Sequence, residues 1–232
     1  SGARLDLALS ATLRAAAPYQ RTRQGTQTVV IRPEDVRVWV RAKRSAANIL
    51  FLVDASGSMG ARERMRMVKG AILALLQEAY QKRDRVGLIA FRRDRAETLL
   101  PMTRSVELAE KQLRDLPTGG RTPLAEGLAC ALQTLRELER KGCEKTVLVL
   151  ITDGRTNAAR DGDDGVQRAL LAAEEIAGTQ ALTLVLDTER GVPRVGAAPE
   201  IARRMEARYY TLEQLSVEGV LEIVRASRSM QM

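Results

Sequence analysis

The sequence predicts an α/β protein built on a doubly wound, mostly parallel sheet. Four short segments are almost continuous in Val, Ile, Leu and Phe, as is typical of parallel strands covered on both faces. Helical patterns separate these segments, and such alternation specifies a parallel sheet with right-handed crossovers. The four segments are NILFLVD from Asn48, DRVGLIAF from Asp84, TVLVLITD from Thr146 and ALTLVLD from Ala181.

Two long helices are predicted between these strands. From Ala61 to Lys82 the apolar residues fall on one helical face, and Arg and Glu are expected on the other. From Pro123 to Lys141 leucines recur at helical spacing, and Gly142 is placed to end that helix. Both patterns supply the helices that the strand alternation requires.

Shorter elements complete the predicted fold. The segment AETLLPMT is expected to form a short antiparallel edge strand that ends at Pro101, because proline cannot donate to a central ladder. A helix from about Arg104 to Leu116 should follow it. Near the end of the chain we expect a last short strand around Tyr209 and a closing helix from Val217 to Ser227.

Residues 1–47 are predicted to form a basic N-terminal arm, ahead of a domain over residues 48–232. The arm begins with helically spaced apolar residues. The later stretch TVVIRPEDVRVWVRA alternates with period two around a Pro-Glu-Asp turn, which predicts a hairpin. Nine Arg and Lys against three acidic residues give the arm a net charge of +6, out of +8 for the chain. Such an arm suits an acidic partner or nucleic acid, or it is a solvated linker.

Composition excludes several kinds of chemistry. The absence of histidine rules out Ser-His-Asp triads, histidine-based zinc sites and the usual proton shuttles. An aromatic content of 3% offers few stacking platforms, so we do not expect nucleic acid as the partner. Cys130 and Cys143 lack metal-ligand spacing and are expected to be reduced core thiols of a cytoplasmic protein. No apolar run approaches the roughly 18 residues that a membrane span needs.

Three predicted loops carry a set of oxygen-bearing side chains: DASGS, TGGRTPL and ITDGR. Ligands of open α/β sheets bind beyond the carboxyl ends of the strands, so these loops should meet. Two carboxylates and three hydroxyls, without nitrogen or sulfur, suit a hard cation such as Mg²⁺ or Mn²⁺. One coordination position would stay open, most naturally for an Asp or Glu of a partner. The candidate ligands are Asp54, Ser56, Ser58, Thr122 and Asp153.

Each of these elements also has a purely structural interpretation. Thr122 before Pro123 is typical of a helix N-cap, Asp153-Gly154 of a turn, and Ser56 to Ser58 of a flexible loop before a helix. Their coincidence at the strand ends of one predicted fold favours the cation site. A capping threonine can also face a cation, so the two interpretations of Thr122 are compatible.

Common catalytic motifs are not matched. A dehalogenase-like phosphatase needs a second acid two residues after Asp54, where Ser56 stands. The chain has no Gly-Lys pair for a P-loop, and a nucleophile elbow would lack both its first glycine and a histidine base. We therefore expect no catalysis within this chain.

The motifs DASGS and ITDG, with a threonine in a separate loop, resemble the metal-ion-dependent adhesion site of the von Willebrand factor A, or integrin I, family. The resemblance implies a Rossmann-like fold in which the hydroxyls of Ser56, Ser58 and Thr122 coordinate a cation. It implies that Asp54 and Asp153 act directly or through water. The segment Leu186–Thr188 is similar to short acidic motifs that bind such sites, but its place at a strand end favours a structural function.

A narrower resemblance covers most of the chain. TLRAAAPYQ, IRPEDVRV, FLVDASGSMG, AYQKRDRVGLIAFR, DRAETLLPMTRS and LITDGRTN are similar to the C-terminal part of magnesium chelatase D subunits and related metal chelatases. In that family an AAA+ domain precedes this region, and the ring ATPase drives insertion of Mg²⁺, or Co²⁺ in relatives, into a tetrapyrrole held by a large porphyrin-binding subunit. The resemblance implies that this chain is part of a longer protein.

The function expected from this resemblance is non-catalytic docking onto AAA+ and large chelatase subunits through a cation held by the five ligands. A first alternative is a scaffold with a vestigial site that docks through the charge of its basic arm. A second is a von Willebrand A partner of an unrelated AAA+ ATPase.

Overall fold

The computed structural model describes residues 7–23, 29–39, 47–56, 61–82, 84–114, 118–143, 145–154, 164–189, 196–211 and 217–229. The chain forms two compact units, Ser1–Arg44 and Ser45–Met232. The division expected from sequence, between residues 47 and 48, lies a few residues later.

The first unit is held together by polar contacts around one helix and two short 3₁₀ turns. Helix α1 spans Leu9–Ala16, and the turns span Ala17–Tyr19 and Pro33–Asp35. The carboxylate of Asp35 is buried and accepts hydrogen bonds from both terminal nitrogens of the Arg23 guanidinium. It also accepts from the backbone N–H of Arg32 at 2.9 Å, which fixes the turn at Pro33.

The structure differs from the predicted hairpin within residues 29–39. Val38 forms an isolated antiparallel bridge with Leu7 rather than with a strand before Pro33. The backbone of Val30 is engaged by the Gln20 side chain, which accepts from the Val30 N–H at 2.8 Å and donates to its carbonyl at 2.9 Å. A side chain thus replaces the neighbouring strand that the period-two pattern led us to expect.

The second unit contains a six-stranded sheet in the order β3-β2-β1-β4-β5-β6. All neighbouring pairs are parallel except β2 and β3, which are antiparallel. The predicted fold class, including its single antiparallel edge strand, is confirmed. The strands are β1 (Asn48–Asp54), β2 (Arg85–Arg92), β3 (Arg95–Thr103), β4 (Thr146–Thr152), β5 (Leu182–Asp187) and β6 (Arg208–Thr211).

Helices cover both faces of this sheet. Successive residues of β1 point to opposite layers: Phe51 packs into a core with α2, α3 and α7, whereas Leu52 packs into a core with α4, α5 and α6. Every residue of β1 is buried, as its continuous apolar run predicts. The helices are α2 (Ala61–Lys82), α3 (Val106–Gln112), α4 (Leu124–Arg140), α5 (Asp164–Ala177), α6 (Ala198–Arg204) and α7 (Val217–Ser229).

The edge strand β3 continues beyond Pro101, where the sequence predicted that it would end. Its pairing with β2 shifts register on both sides of Leu88, which faces Leu100. An edge strand can accommodate proline next to such irregularities, because the missing N–H need not serve a second neighbour. The prediction was therefore right about the strand and wrong about its end.

The strand order reverses at β1. The chain runs outward from β1 through β2 to β3 and then returns to β4 on the other side of β1. Loops that follow β1 and β4 therefore leave in opposite directions and open a crevice at the carboxyl ends of these strands. Both aspartates of the predicted cation site lie at this switch point.

Candidate metal centre

Asp54 and Asp153 lie at the carboxyl ends of two neighbouring strands. Asp54 is the last residue of β1, and Asp153 directly follows β4. The parallel register pairs Val53 with Ile151, so the two strands end side by side. Both aspartates are buried, as is Ser56, which follows Asp54 by two residues.

Hydrogen bonds orient the Asp54 carboxylate. Its Oδ1 accepts from the backbone N–H of Ser56 at 2.9 Å, and its Oδ2 accepts from the Thr152 hydroxyl at 3.2 Å. The same Thr152 oxygen accepts from the backbone N–H of Gly154 at 3.0 Å. These bonds link the loops after β1 and β4 through one carboxylate.

Arg64 enters this site from helix α2. Its side chain is 1% exposed, and its Nε donates to the Asp54 carbonyl oxygen at 3.2 Å. Its Nη1 lies 3.4 Å from the Asp153 Oδ2 atom, and its Nη2 lies 4.0 Å from the Asp54 Oδ1 atom. A single guanidinium therefore faces both carboxylates.

Arg64 was not predicted, because the arginines of α2 were expected on its exposed face. A signal was present in the spacing. Arg64 precedes Val68 by four residues and Ala71 by seven, so it belongs to the buried stripe. A charged residue in such a stripe needs a buried partner, and the sequence offered Asp54 and Asp153.

Burial dominates the electrostatics of Asp54. Loss of solvent raises the pKa of this carboxyl, and the charge of Asp153 raises the pKa further. The Arg64 charge and the Ser56 N–H act in the opposite direction. Burial of the carboxylate is therefore only partly offset by the groups around it.

Thr122 lies in the loop that precedes α4 and is half-buried. The backbone N–H of Gly119 donates to the Ala55 carbonyl at 2.8 Å, which ties this loop to the end of β1. Helix α4 begins at Leu124 with Pro123 at the N-cap position and without a side-chain cap hydrogen bond. The alternative interpretation of Thr122 as the helix cap is therefore wrong.

The predicted ligands fall into three groups. Asp54, Ser56 and Asp153 are brought together at the switch point, and the loop that carries Thr122 is tied to Ala55. Ser58 lies outside the described residues. The donors that are described offer carboxylate and hydroxyl oxygens, a set that fits a hard divalent cation.

The loop after β5 is occupied by structural contacts. Thr188 donates its backbone N–H to the Thr152 carbonyl at 2.9 Å, and its hydroxyl lies 3.5 Å from the Arg64 Nη1 atom. The buried Asp187 carboxylate accepts from the Glu189 N–H at 2.8 Å and from the Tyr209 hydroxyl. The structural interpretation of Leu186–Thr188 accounts for these contacts.

In the part of the chain that the structure describes, no helix combines the length and the apolar character that crossing a membrane would require.

Comparisons with protein families match two parts of the chain. A von Willebrand factor type A domain model matches residues 49–155, which include all of β1 but Asn48, the whole of β4, and the switch point. An AAPxQ domain model matches residues 1–41. Residues 16–20 of this chain are Ala-Ala-Pro-Tyr-Gln, and the final glutamine is the one that engages Val30.

Relatives among curated proteins include a magnesium-chelatase subunit and an uncharacterized archaeal protein. The magnesium-chelatase 67 kDa subunit of Heliobacterium mobile is 40% identical over 232 residues, which are 95% of this chain and 35% of that protein. The chain thus spans about a third of the length of this relative. An uncharacterized protein of Methanocaldococcus jannaschii is 42% identical over 170 residues, which are 72% of this chain and 97% of that protein.

Solved structures share the fold at low sequence identity. The PilB minor pilin from Streptococcus sanguinis superposes with a TM-score of 0.62 and 12% identity, over 84% of this chain and 64% of that chain. The SpRpn10 VWA domain superposes with a TM-score of 0.53 and 14% identity, over 78% of this chain and 95% of that chain. The domain model over residues 49–155 shows that the chain contains a von Willebrand factor type A domain, whose fold these solved structures share, and the curated relatives show that the chain is a homologue of magnesium-chelatase subunits.

Proposed function

We propose that the chain is a non-catalytic, metal-dependent interaction module of an ATP-dependent magnesium or cobalt chelatase. The convergence of Asp54, Ser56 and Asp153 at the switch point is the observation that carries this proposal. Homology to magnesium-chelatase subunits supports the association with a chelatase.

In this proposal the site holds Mg²⁺, which Mn²⁺ can replace. The ligands are Asp54, Ser56, Ser58, Thr122 and Asp153. The bound cation supplies an open coordination position for the carboxylate of a partner protein. The Ser56 N–H and the Thr152 hydroxyl already orient the Asp54 carboxylate. Little conformational entropy of this side chain is therefore lost when the cation binds.

The proposed partners are an AAA+ ATPase subunit or domain and the large porphyrin-binding subunit of the chelatase, in the cytoplasm. An acidic side chain of either partner would complete the cation's shell. Docking of this kind would pass nucleotide-driven motion of the AAA+ ring to the subunit that holds the tetrapyrrole.

A capture experiment tests this proposal. The chain is immobilised and exposed to lysate of its source organism, once with Mg²⁺ and once with EDTA, and the captured proteins are identified by mass spectrometry. We expect chelatase subunits in the Mg²⁺ sample alone, and Asp54→Ala should abolish their capture. The matched control is Asp94→Ala, which removes an exposed aspartate from the turn between β2 and β3.

Equal capture in EDTA, or capture unchanged by Asp54→Ala, would contradict metal-dependent docking. Thermal unfolding of both variants should remain cooperative, so that loss of capture reflects the site. Mg²⁺-dependent capture of a different AAA+ ATPase would support metal-dependent docking but would place the chain in a pathway other than that of a chelatase.

The net charge of +6 in residues 1–47 favours a second candidate function, in which the basic segment docks by charge alone. Surface charge attraction weakens as salt shortens the Debye length to about 8 Å at physiological ionic strength. If docking is driven by charge, the amount of captured protein should therefore fall steeply with rising salt concentration and should not change when EDTA is added.

A further inference from the structure

Arg64 is the largest side chain among the fully buried ones of the described residues. It extends from the first turns of α2 to the carboxyl ends of β1 and β4, where it faces Asp54 and Asp153. Burial of an arginine costs free energy unless charge and hydrogen bonds compensate it. An arginine that is buried to this degree is therefore expected to have a function at the site.

The guanidinium compensates the carboxylates from a distance. Its separations from Asp153 Oδ2 and Asp54 Oδ1 are 3.4 and 4.0 Å. Charge-assisted hydrogen bonds between such groups are shorter, about 2.7–2.9 Å. The Arg64 Nη1 atom donates a long hydrogen bond of 3.4 Å to Asp153 Oδ2, and its Nε donates to the Asp54 backbone carbonyl at 3.2 Å. Arg64 thus supplies positive charge to the two carboxylates through contacts of 3.4 and 4.0 Å, which are long for an ion pair.

The formal charges of these three groups have a direct consequence for ligand binding. One guanidinium and two carboxylates carry a net charge of −1. A divalent cation changes that net charge to +1, and one incoming carboxylate then cancels it. Without Arg64 the same cation would neutralise the site by itself, and an incoming carboxylate would leave it negative.

We propose that Arg64 is a specificity-determining residue that weakens cation binding and keeps the loaded site positive, so that it selects a carboxylate ligand. This inference rests on the proposed metal-dependent function and adds to it a residue outside the predicted ligand set. The inference predicts that loss of the Arg64 charge raises the affinity for the cation and lowers the affinity of the loaded site for a carboxylate. A merely structural arginine would not separate these two effects.

The first test is calorimetric titration of Mn²⁺ into wild type, Arg64→Gln and Arg64→Lys. Arg64→Gln removes the charge and retains a hydrogen-bond donor, and we expect it to bind Mn²⁺ about tenfold more tightly. Arg64→Lys retains the charge and should bind Mn²⁺ within about threefold of wild type. The matched control is Arg66→Gln, which removes an exposed arginine from the same helix and should leave the affinity unchanged.

The second test uses acetate as the carboxylate probe. Mn²⁺ titrations are compared in sodium acetate and in sodium chloride of equal ionic strength, at equal free Mn²⁺ activity. We expect acetate to tighten Mn²⁺ binding by wild type and by Arg64→Lys. For Arg64→Gln this gain should disappear.

Unfolding measurements keep the inference testable if Arg64→Gln is unstable. Without cation we expect a lower Tm than wild type, because two buried carboxylates lose their counter-charge. With Mn²⁺ the rise in Tm should exceed that of wild type, since ligand binding stabilises the folded state by mass action. If Arg64→Gln stays unfolded in Mn²⁺, the Mn²⁺ affinity of Arg64→Lys becomes the deciding measurement. A tenfold difference from the wild-type affinity would overturn the inference.

The two proposals fail in different ways. Wild type that binds no Mn²⁺, or binds it as well after Asp54→Ala, overturns the proposed metal-dependent function. Wild type that needs Asp54 for Mn²⁺ binding while Arg64→Gln binds no more tightly overturns only the inference about Arg64.

Discussion

A few charged side chains distinguish the switch point from the other strand ends of the sheet. Asp54 is held by a backbone N–H and a threonine hydroxyl, and Arg64 places its charge between Asp54 and Asp153. The aspartates were predictable because they directly follow apolar strands. Arg64 was not predicted, since the sequence around it is rich in Arg and Glu, although its spacing from Val68 and Ala71 placed it on the buried face of α2.

Asp35 gives a pH-dependent prediction for the first unit. The hydrogen bond from Arg23 lowers the pKa of Asp35 to about 2, and the Arg32 N–H contributes. An unfolded aspartate has a pKa of about 3.9, so the unfolded form binds the proton more readily. The stabilisation from this ion pair should be complete above about pH 5 and should be lost as the pH falls towards 2.

Trp39, the single tryptophan of the chain, makes this measurable. Thermal unfolding followed by its fluorescence should show a Tm that falls between about pH 4 and pH 2. Asp35→Asn should lower the Tm at neutral pH and flatten this part of the profile. A profile for Asp35→Asn that parallels wild type would contradict the assignment of the pH dependence to this pair.

Loops that join strands to helices carry constraints that neither element carries alone. Gly154 follows Asp153 with φ of +66°, in the left-handed region. A Cβ on this residue would lie 2.7 Å from the backbone nitrogen of Ala198 at the start of α6. The Gly154 carbonyl also accepts from the Ala197 N–H at 2.8 Å, so the loop cannot easily move away.

Gly154→Ala should therefore destabilise the second unit. We expect the free energy of unfolding, measured with urea, to fall by about 2 kcal/mol or more from backbone strain and the close contact. Gly165→Ala is the matched control, because that glycine lies in α5 with open space at its Cβ position. This control should be neutral or stabilising by up to about 1 kcal/mol. Equal effects of the two substitutions would contradict the argument.

Element boundaries show where sequence patterns stop being informative. The buried strands and amphipathic helices were recognisable because each apolar pattern reports the layer against which it packs. The end of β3 was not, because it depends on the register shifts opposite Pro101. The hairpin was expected over residues 28–42, and the described part, residues 29–39, does not form it. The sequence did not show this, since the Gln20 side chain that engages Val30 is ten residues away.

On the scale of the whole molecule, the candidate site belongs entirely to the second unit. Four of the predicted ligands and Arg64 are described there, in loops and a helix attached to one sheet. The sheet has its own cores on both faces, which is the usual requirement for a domain that folds independently.

A fragment of residues 45–232 should therefore fold and bind Mn²⁺ with the affinity of the full chain. Calorimetric titration of both proteins measures this, and circular dichroism reports whether the fragment is folded. A folded fragment with markedly weaker Mn²⁺ binding would show that the first unit contributes to the site.

The edge strand β3 bears on how copies of this protein can associate. An open sheet edge invites another chain to add a strand, which is a common route to aggregation. Here the outer strand contains a proline without an N–H, and its residues Arg95 and Glu97 are exposed. Growth of a continuous intermolecular sheet from this side is therefore disfavoured, and copies of the protein that meet at high concentration should not form fibrils along this edge.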